Sequence, residues 1–149
     1  MELVGTSIRD GDQATPGLAL WDFYSTRKTS LKKCGFQFVG CFDTETGERI
    51  DVLGQHSQYS SFCGDFAHLD PWLDIQVGLE RNLGIRTNGI QKNHFFATDS
   101  LGPFLVLNPP FCKYLLRLLG LDARLPFEQE AMDAYEARKQ ELYQPGQVL

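Results

Sequence analysis

The strongest constraint on the fold is a pair of alternating segments joined by a turn. Phe36, Phe38 and Phe42 occupy alternate positions of the first segment, and the alternation resumes over residues 49–53. A period of two places successive side chains on opposite faces of a strand. The link, residues 44–47, contains two Thr and ends in Gly, a composition typical of turns. The pattern predicts a β-hairpin.

Three further strands are predicted in the second half of the chain. Asn88-Gly89 is the dipeptide that two-residue hairpin turns prefer, and it separates residues 85–87 from a second strand over residues 90–98. Residues 103–107 form a short, continuous apolar run, which is typical of a strand covered on both faces. We therefore expect two hairpins and a largely antiparallel sheet of about five strands.

Three to four helices are predicted from caps and apolar stripes. Thr15, Asp70 and Asn108 each precede a proline, and a cap-type residue before Pro at the first helical position marks a helix start. The first of these helices carries aromatic and Thr side chains that also suit a strand. A fourth begins with acidic and ends with basic side chains, which matches the helix dipole. The predicted helices cover residues 16–28, 71–83, 109–119 and 127–142.

The remaining segments carry no regular period. Residues 54–67, with three Ser and two Gln, are interpreted as a long loop. Residues 1–14 are expected to be an irregular N-terminal arm, and residues 144–149 a C-terminal tail. The sequence therefore predicts a single globular domain over residues 1–149, of the α+β class, with the sheet packed by its helices.

Composition favours an ordered protein without a membrane span. Eleven Phe, five Tyr and two Trp supply large apolar groups that offset the entropy of ordering a core. Asn108, Lys113 and Arg117 interrupt the longest apolar stretches, so none reaches the roughly 20 residues that cross a bilayer. The charged first residues do not resemble a secretory signal.

The charge disfavours nucleic acid as a partner. Fourteen Lys and Arg against nineteen Asp and Glu give a formal net charge of −5, whereas binding to a phosphate backbone depends on clustered basic side chains. One local basic cluster exists, and we interpret it as a solvated face. It comprises Arg27, Lys28, Lys32 and Lys33.

The cysteines favour a reducing compartment. Cys34, Cys41, Cys63 and Cys112 belong to a chain large enough to fold without disulfides, and no secretion signal accompanies them. We expect free thiols and an intracellular location, in the cytoplasm or an organellar matrix.

The apolar strand that ends in Asp43-Thr44-Glu45 resembles the first motif of DEDD-type exonucleases. In that family two carboxylates on one strand face hold catalytic Mg²⁺. The segment around Asp133 is similar to the third motif. Residues 105–112 are similar to the second, with Cys112 in place of a metal-binding Asp. The resemblance implies an alternative function, a nuclease-like enzyme, either intact or degenerate, with Asp43, Glu45 and Asp133 as catalytic residues.

The segment Asn108-Pro109-Pro110-Phe111 resembles the catalytic tetrapeptide of amino-group methyltransferases. Those enzymes hold the target amino group of a flipped base with Asn and a backbone carbonyl. They also need a glycine-rich loop for the methyl donor, and the sequence lacks a good one. We favour a cap of the following helix as the role of Asn108.

A second alternative is a small zinc-binding protein. Thiolate, imidazole and carboxylate groups, the usual zinc ligands, are crowded into one irregular segment, and Cys63 with His68 would also serve as a nucleophile pair. No paired Cys-x-x-Cys spacing accompanies them. The candidate ligands are His56, Cys63, Asp65 and His68.

Since none of these motifs is complete, we expect a non-catalytic interaction or accessory protein without a cofactor. Its partner would be another protein or a second copy of the chain. Aromatic side chains often anchor interfaces, and several lie outside the clear apolar stripes. The residues expected to bind the partner are Trp21, Tyr24, Tyr59, Phe62 and Tyr143.

Overall fold

The protein is mostly β-sheet. The computed structural model describes residues 1–27, 35–57, 60–66, 68–78 and 86–144. Within these ranges nine strands form two sheets, and two helices and one isolated helical turn follow the last strand. A 3-10 turn over Glu2–Val4 precedes the first strand.

The strands are β1 (Ser7–Asp10), β2 (Gln13–Pro16), β3 (Phe23–Arg27), β4 (Gly35–Asp43), β5 (Arg49–Ser57), β6 (Ser60–Gly64), β7 (Pro71–Gly78), β8 (Thr87–Lys92) and β9 (Phe95–Ala97). The helical turn is Phe104–Leu107, and the helices are α1 (Pro109–Leu118) and α2 (Glu128–Tyr143).

The two sheets have different topologies. The five-stranded sheet has the order β5-β4-β7-β8-β9 and is antiparallel throughout. The four-stranded sheet has the order β2-β1-β3-β6 and is mixed, because β1 and β3 run parallel. An isolated bridge between His56 and Ser100 brings the chain that follows β9 back to β5. Phe23 of β3 packs with Ile90 and Ala97, which joins the two sheets.

The predicted hairpin over residues 36–53 is confirmed as β4 and β5. Its turn is closed by backbone bonds from the Thr44 N–H to Glu48 and from the Gly47 N–H to Thr44, and by the Thr44 hydroxyl, which accepts the Glu48 N–H at 3.0 Å. Gly54 lies against the ring of Phe38, and a Cβ at Gly54 would clash with that ring. Glycine therefore leaves room for the Phe38 ring to cover β5.

Both predicted C-terminal helices are confirmed. α1 starts with prolines, as expected, and buries Phe111 and Tyr114. α2 has Glu128 and Glu130 in its first turn and buries Tyr135 and its last Leu. The Tyr135 side chain packs with residues of β4 and β5. The two helices thus cover the five-stranded sheet.

The predicted α+β class, with one sheet of about five strands and three to four helices, is wrong. The structure has two sheets, and only two helices longer than one turn lie in the described ranges. Residues 1–14, expected to be an irregular arm, form β1 and part of β2. Within the segment expected to be a loop, residues 54–57 form the end of β5 and residues 60–64 form β6.

The predicted helix over residues 16–28 is also incorrect. From Phe23 to Arg27 the chain is β3, in which Phe23 and Ser25 are buried and Tyr24 is half-buried. This alternation is typical of a strand. β3 lies between β1 and β6. The aromatic and Thr content, which suits a strand, therefore indicated the structure of this segment better than the Thr-Pro helix start did.

β7 replaces the predicted helix over residues 71–83 as far as the described part of the chain extends. Trp72 and Ile75 have helical spacing, but Leu73 between them is buried as well. A strand that is paired on both sides and covered on both faces loses its period of two. A register shift at Gln76 disturbs the pattern further.

The predicted Asn88-Gly89 turn is wrong, because both residues lie inside β8. Gly89 adopts φ +72° there, a conformation that glycine favours. Asn88 is buried, and its amide bonds to the side chains of residues 98 and 99. The turn lies instead at Asn93 and His94, both with positive φ, between β8 and β9.

The predicted buried strand over residues 103–107 is instead the helical turn Phe104–Leu107. Leu105, Val106 and Leu107 are exposed, and only Phe104 packs against the aromatic core. The continuous apolar run therefore does not reflect burial on two faces.

Several predicted features lie outside the described residues. They are Lys28, Lys32, Lys33, Cys34, Tyr59, the end of the predicted helix over residues 79–83, and tail residues 145–149. The three described cysteines, Cys41, Cys63 and Cys112, are free. None of the helices in the described ranges has the length and apolar character needed to cross a membrane.

Asn108 joins the helices to the edge of the five-stranded sheet. Its side chain is fully buried and does not cap α1. The Leu53 N–H donates to its oxygen at 2.6 Å, and its amide nitrogen donates to the carbonyls of Leu53 and Phe104, both at 2.9 Å. One amide thus satisfies both backbone groups of an edge residue, as a neighbouring strand would.

Replacement of Asn108 by Ala is expected to lower the free energy of unfolding by about 2 to 4 kcal/mol, because buried backbone groups of Leu53 lose their partners. Urea unfolding monitored by circular dichroism measures this. Gln140→Ala, at an exposed position of α2, is the control and should change stability by less than about 0.5 kcal/mol. A stable Asn108→Asp variant would contradict the assignment, because a carboxylate cannot donate to the two carbonyls.

Candidate functional site

A cleft of about 630 Å³ opens between the β4–β5 turn, the β8–β9 turn and α1. Its volume falls within the range of small-molecule and side-chain binding sites. Most of its polar lining comes from the two hairpins, in or next to their turns, which the register of the five-stranded sheet brings to one end. The lining consists of Phe42, Asp43, Thr44, Glu45, Asp70, Pro71, Gln91, Lys92, Asn93, His94, Phe96 and Tyr114.

Three side chains from separate elements meet in the cleft. The Tyr114 hydroxyl donates to Oε2 of Glu45 at 3.0 Å. Nε2 of His94 lies 2.9 Å from Oε1 of the same carboxylate, and the imidazole tautomer with its proton on Nε2 donates there. Each oxygen of Glu45 therefore has its own partner, which holds the carboxylate in one orientation.

The hydrogen bonds to Glu45 lower its pKa. Its own backbone N–H makes the largest contribution, followed by Tyr114. Burial, together with the hydrogen bond to the Glu45 carboxylate and its charge, raises the pKa of Tyr114 to about 12. At neutral pH the cleft therefore holds an ionised Glu45 and a neutral Tyr114 that donates to it.

The floor of the cleft is aromatic. The rings of Phe42, Phe96 and Tyr114 contact one another. The ring centroids are 6.2 Å apart for Phe42 and Phe96, 5.5 Å for Phe42 and Tyr114, and 6.3 Å for Phe96 and Tyr114. Phe42 and Tyr114 are buried, and Trp72 and Phe111 pack behind them. The floor thus belongs to the main core, and its shape is set by core packing.

The lining of the cleft is predominantly acidic. Asp43, Glu45 and Asp70 contribute three carboxylates, against one ammonium from Lys92. Among the residues that the structure describes, Asp43 and Asp70 form no ion pair. Negative charge in the cleft is therefore largely uncompensated.

The structure brings two of the three predicted nuclease residues to the cleft. Asp43 and Glu45 both line it, whereas Asp133 is exposed on α2 and accepts a hydrogen bond from Gln129 at 2.8 Å. No group of three or more His, Cys, Asp or Glu side chains within the described ranges is arranged to hold a metal ion. The nuclease alternative stays a prediction.

Of the four predicted zinc ligands, His68 and Asp65 form one pair, and His56 pairs with a residue outside the predicted set. His56 pairs with Asp99 at 3.1 Å in a second pocket of about 320 Å³. His68 pairs with Asp65 at 3.5 Å on the surface. Cys63 lies on β6 opposite Tyr24. The zinc alternative also stays a prediction.

The predicted partner-binding aromatics are partly engaged within the protein. Trp21 packs on Phe95 with ring centroids 5.3 Å apart, and Arg9 lies 3.6 Å from the ring centre of Tyr24. Phe62 contacts the buried Phe23, whereas Tyr143 is about half exposed. Tyr59 lies outside the described residues. Their role in binding stays a prediction.

The buried position of Asn108 bears on the methyltransferase resemblance. Its amide is committed to Leu53 and Phe104, so it is not presented to a substrate amino group. The tetrapeptide therefore resembles the methyltransferase motif in sequence, but its Asn is not placed to bind a substrate.

Sequence analysis missed the two hydrogen-bond partners of Glu45 in the cleft, His94 and Tyr114. A turn at Asn93 and His94 would have placed the imidazole at the end of the hairpin, but the stronger Asn88-Gly89 signal concealed it. The Tyr114 hydroxyl has no local signal, since its partner lies 69 residues away. No protein-family model matches the chain, and no curated protein is significantly similar to it in sequence.

Replacement of Tyr114 by Phe is expected to raise the pKa of Glu45 towards its ordinary value, since one donor to the carboxylate is lost while the backbone donor remains. A carboxyl-detected NMR titration measures this shift. The low pKa belongs to the folded state, so the network stabilises the fold above the unfolded pKa, and this contribution is lost as pH falls through the folded value. Tyr24→Phe is the control, and equal behaviour of both variants would refute the assigned bond.

Proposed function

We propose that the protein is a non-catalytic interaction protein and that the acidic cleft binds a basic segment of a protein partner. The observation that carries the proposal is the combination of three carboxylates, Asp43, Glu45 and Asp70, with an aromatic floor in one cleft. An arginine or lysine side chain of the partner would enter the cleft.

Charge complementarity supports a cationic occupant. Asp43 and Asp70 have no ion-pair partner in the described part of the chain, and Glu45 contacts a histidine rather than Lys or Arg. A guanidinium or ammonium group would neutralise carboxylates that line the cleft. A nucleic-acid backbone would instead add negative charge to an acidic lining, so we favour a protein partner.

The floor supports a side chain with a long apolar stem. Lys and Arg carry methylene groups that pack on apolar surface while the charged head remains near water. Phe42, Phe96 and Tyr114 offer such a surface, and aromatic ring faces attract cations. The occupant would therefore gain both charge pairing and apolar contact.

The orientation of Glu45 supports binding with little rearrangement. Tyr114 and His94 each contact one of its oxygens, although the side chain is 60% exposed. An exposed carboxylate ordinarily loses rotamer freedom when it pairs. Because the folded protein has already restricted Glu45, less of that entropy is lost on binding.

The test is a titration followed by amide NMR with two capped peptides, Gly-Arg-Gly-Arg-Gly and Gly-Glu-Gly-Glu-Gly. The arginine peptide is expected to shift the amide signals of Glu45, Gln91 and Asn93, and the glutamate peptide is not. The double variant Asp43→Asn/Asp70→Asn should weaken binding of the arginine peptide about three- to tenfold, because two exposed charge interactions are removed.

The matched control is Glu130→Gln/Asp133→Asn, which removes the same charge from exposed positions of α2. It should leave the affinity within about twofold of wild type. If both double variants weaken binding equally, the attraction is a property of net charge rather than of the cleft. Absence of arginine-dependent shifts in the cleft amides would refute the proposed function.

A further inference from the structure

We propose that His94 makes binding by the cleft pH-dependent. Protonated His94 forms an ion pair with Glu45 and so competes with the cation of the partner. The inference rests on the proposed function and adds its regulation: the cleft binds a basic segment at neutral to alkaline pH and releases it on mild acidification.

The His94 imidazole and the cation of the partner would both contact the carboxylate of Glu45. Nε2 of His94 lies 2.9 Å from Oε1 of Glu45, and both side chains are more than half exposed. Oε2 is already bonded to the Tyr114 hydroxyl. A charged ligand that reaches Oε1 of Glu45 therefore approaches beside the imidazole.

The charged side chains that line the cleft with His94 come from both hairpins and from the residue before β7, whereas α1 contributes the neutral Tyr114. Asp43 belongs to β4, Asp70 directly precedes β7, Lys92 belongs to β8, and Glu45 lies in the β4–β5 turn. Three carboxylates and one ammonium give the lining a formal charge of −2 when His94 is neutral and −1 when it is protonated. One proton therefore removes half of the net charge that attracts a cation.

Histidine is the side-chain type that ordinarily changes charge between about pH 5 and 8. Glu45 and Tyr114, which are hydrogen-bonded to each other beside His94, do not change charge in this pH range. Glu45 has a lowered pKa because its backbone N–H and Tyr114 bond to it, and the pKa of Tyr114 is raised to about 12 by burial.

The β8–β9 turn keeps the imidazole next to Glu45. His94 adopts φ 64° at the second position of a two-residue turn whose flanking residues, Lys92 and Phe95, are paired. Both turn residues have positive φ, as such tight hairpins require. The location of His94 is thus set by strand register and does not depend on its charge.

The experiment measures the affinity of the capped peptide Gly-Arg-Gly-Arg-Gly for the full chain at about pH 8 and about pH 5.5, at equal ionic strength. Arginine keeps its charge throughout this range. We expect wild-type affinity to fall about three- to fivefold on acidification, which corresponds to one exposed charge interaction. His94→Gln can bond to Glu45 but cannot be protonated, so its affinity should be the same at both pH values.

The matched control is His68→Gln, which removes an exposed histidine outside the cleft and should retain the wild-type pH dependence. Loss of affinity on acidification in His94→Gln would assign the effect to another group and overturn the inference. Unchanged wild-type affinity would overturn it as well, with the proposed function intact. Absence of binding at about pH 8 would instead overturn both.

Discussion

The side chain of Asn108 is the contact on which the arrangement of sheet and helices depends. An amide carries one donor group and one acceptor group at a spacing that matches a peptide unit, so it completes the hydrogen bonds of Leu53 at the edge of β5. A third bond to Phe104 fixes the helical turn that precedes α1. In this buried position each lost bond would leave an unsatisfied backbone group, which makes the connection specific.

The geometry of the cleft depends on the hydrogen bonds that Asn108 forms with Leu53 and Phe104. α1 begins directly after Asn108 and carries Phe111 and Tyr114 into the aromatic core. From there the Tyr114 hydroxyl reaches Glu45 on the β4–β5 turn. A buried amide at one end of the helix therefore positions a hydroxyl more than a helical turn away, and the hydroxyl orients a carboxylate at the surface. The packing of α1 in the core thus determines how the carboxylate of Glu45 is hydrogen-bonded.

Local signals were reliable where neighbouring residues decide the structure. The β4–β5 hairpin follows from alternation and a Thr/Gly turn, and α1 and α2 follow from Pro starts and charge placement. The signals failed where burial depends on distant segments. β7 is covered on both faces and shows helix-like spacing, while Asn88 and Gly89 lie inside β8, where Asn88 bonds to the side chains of Thr98 and Asp99. In both cases tertiary contacts overrode a valid local preference.

The sequence by itself determined the hairpin that carries Asp43 and Glu45, the two C-terminal helices and the acidic charge, because each is set by residues near one another in the chain. Only the tertiary structure decided that Glu45 meets His94 and Tyr114, which are 49 and 69 residues away. That meeting depends on the register of β8 with β9 and on the docking of α1. Register and docking are set by packing between segments that are distant in the chain. The pattern of residues along the sequence does not report that packing.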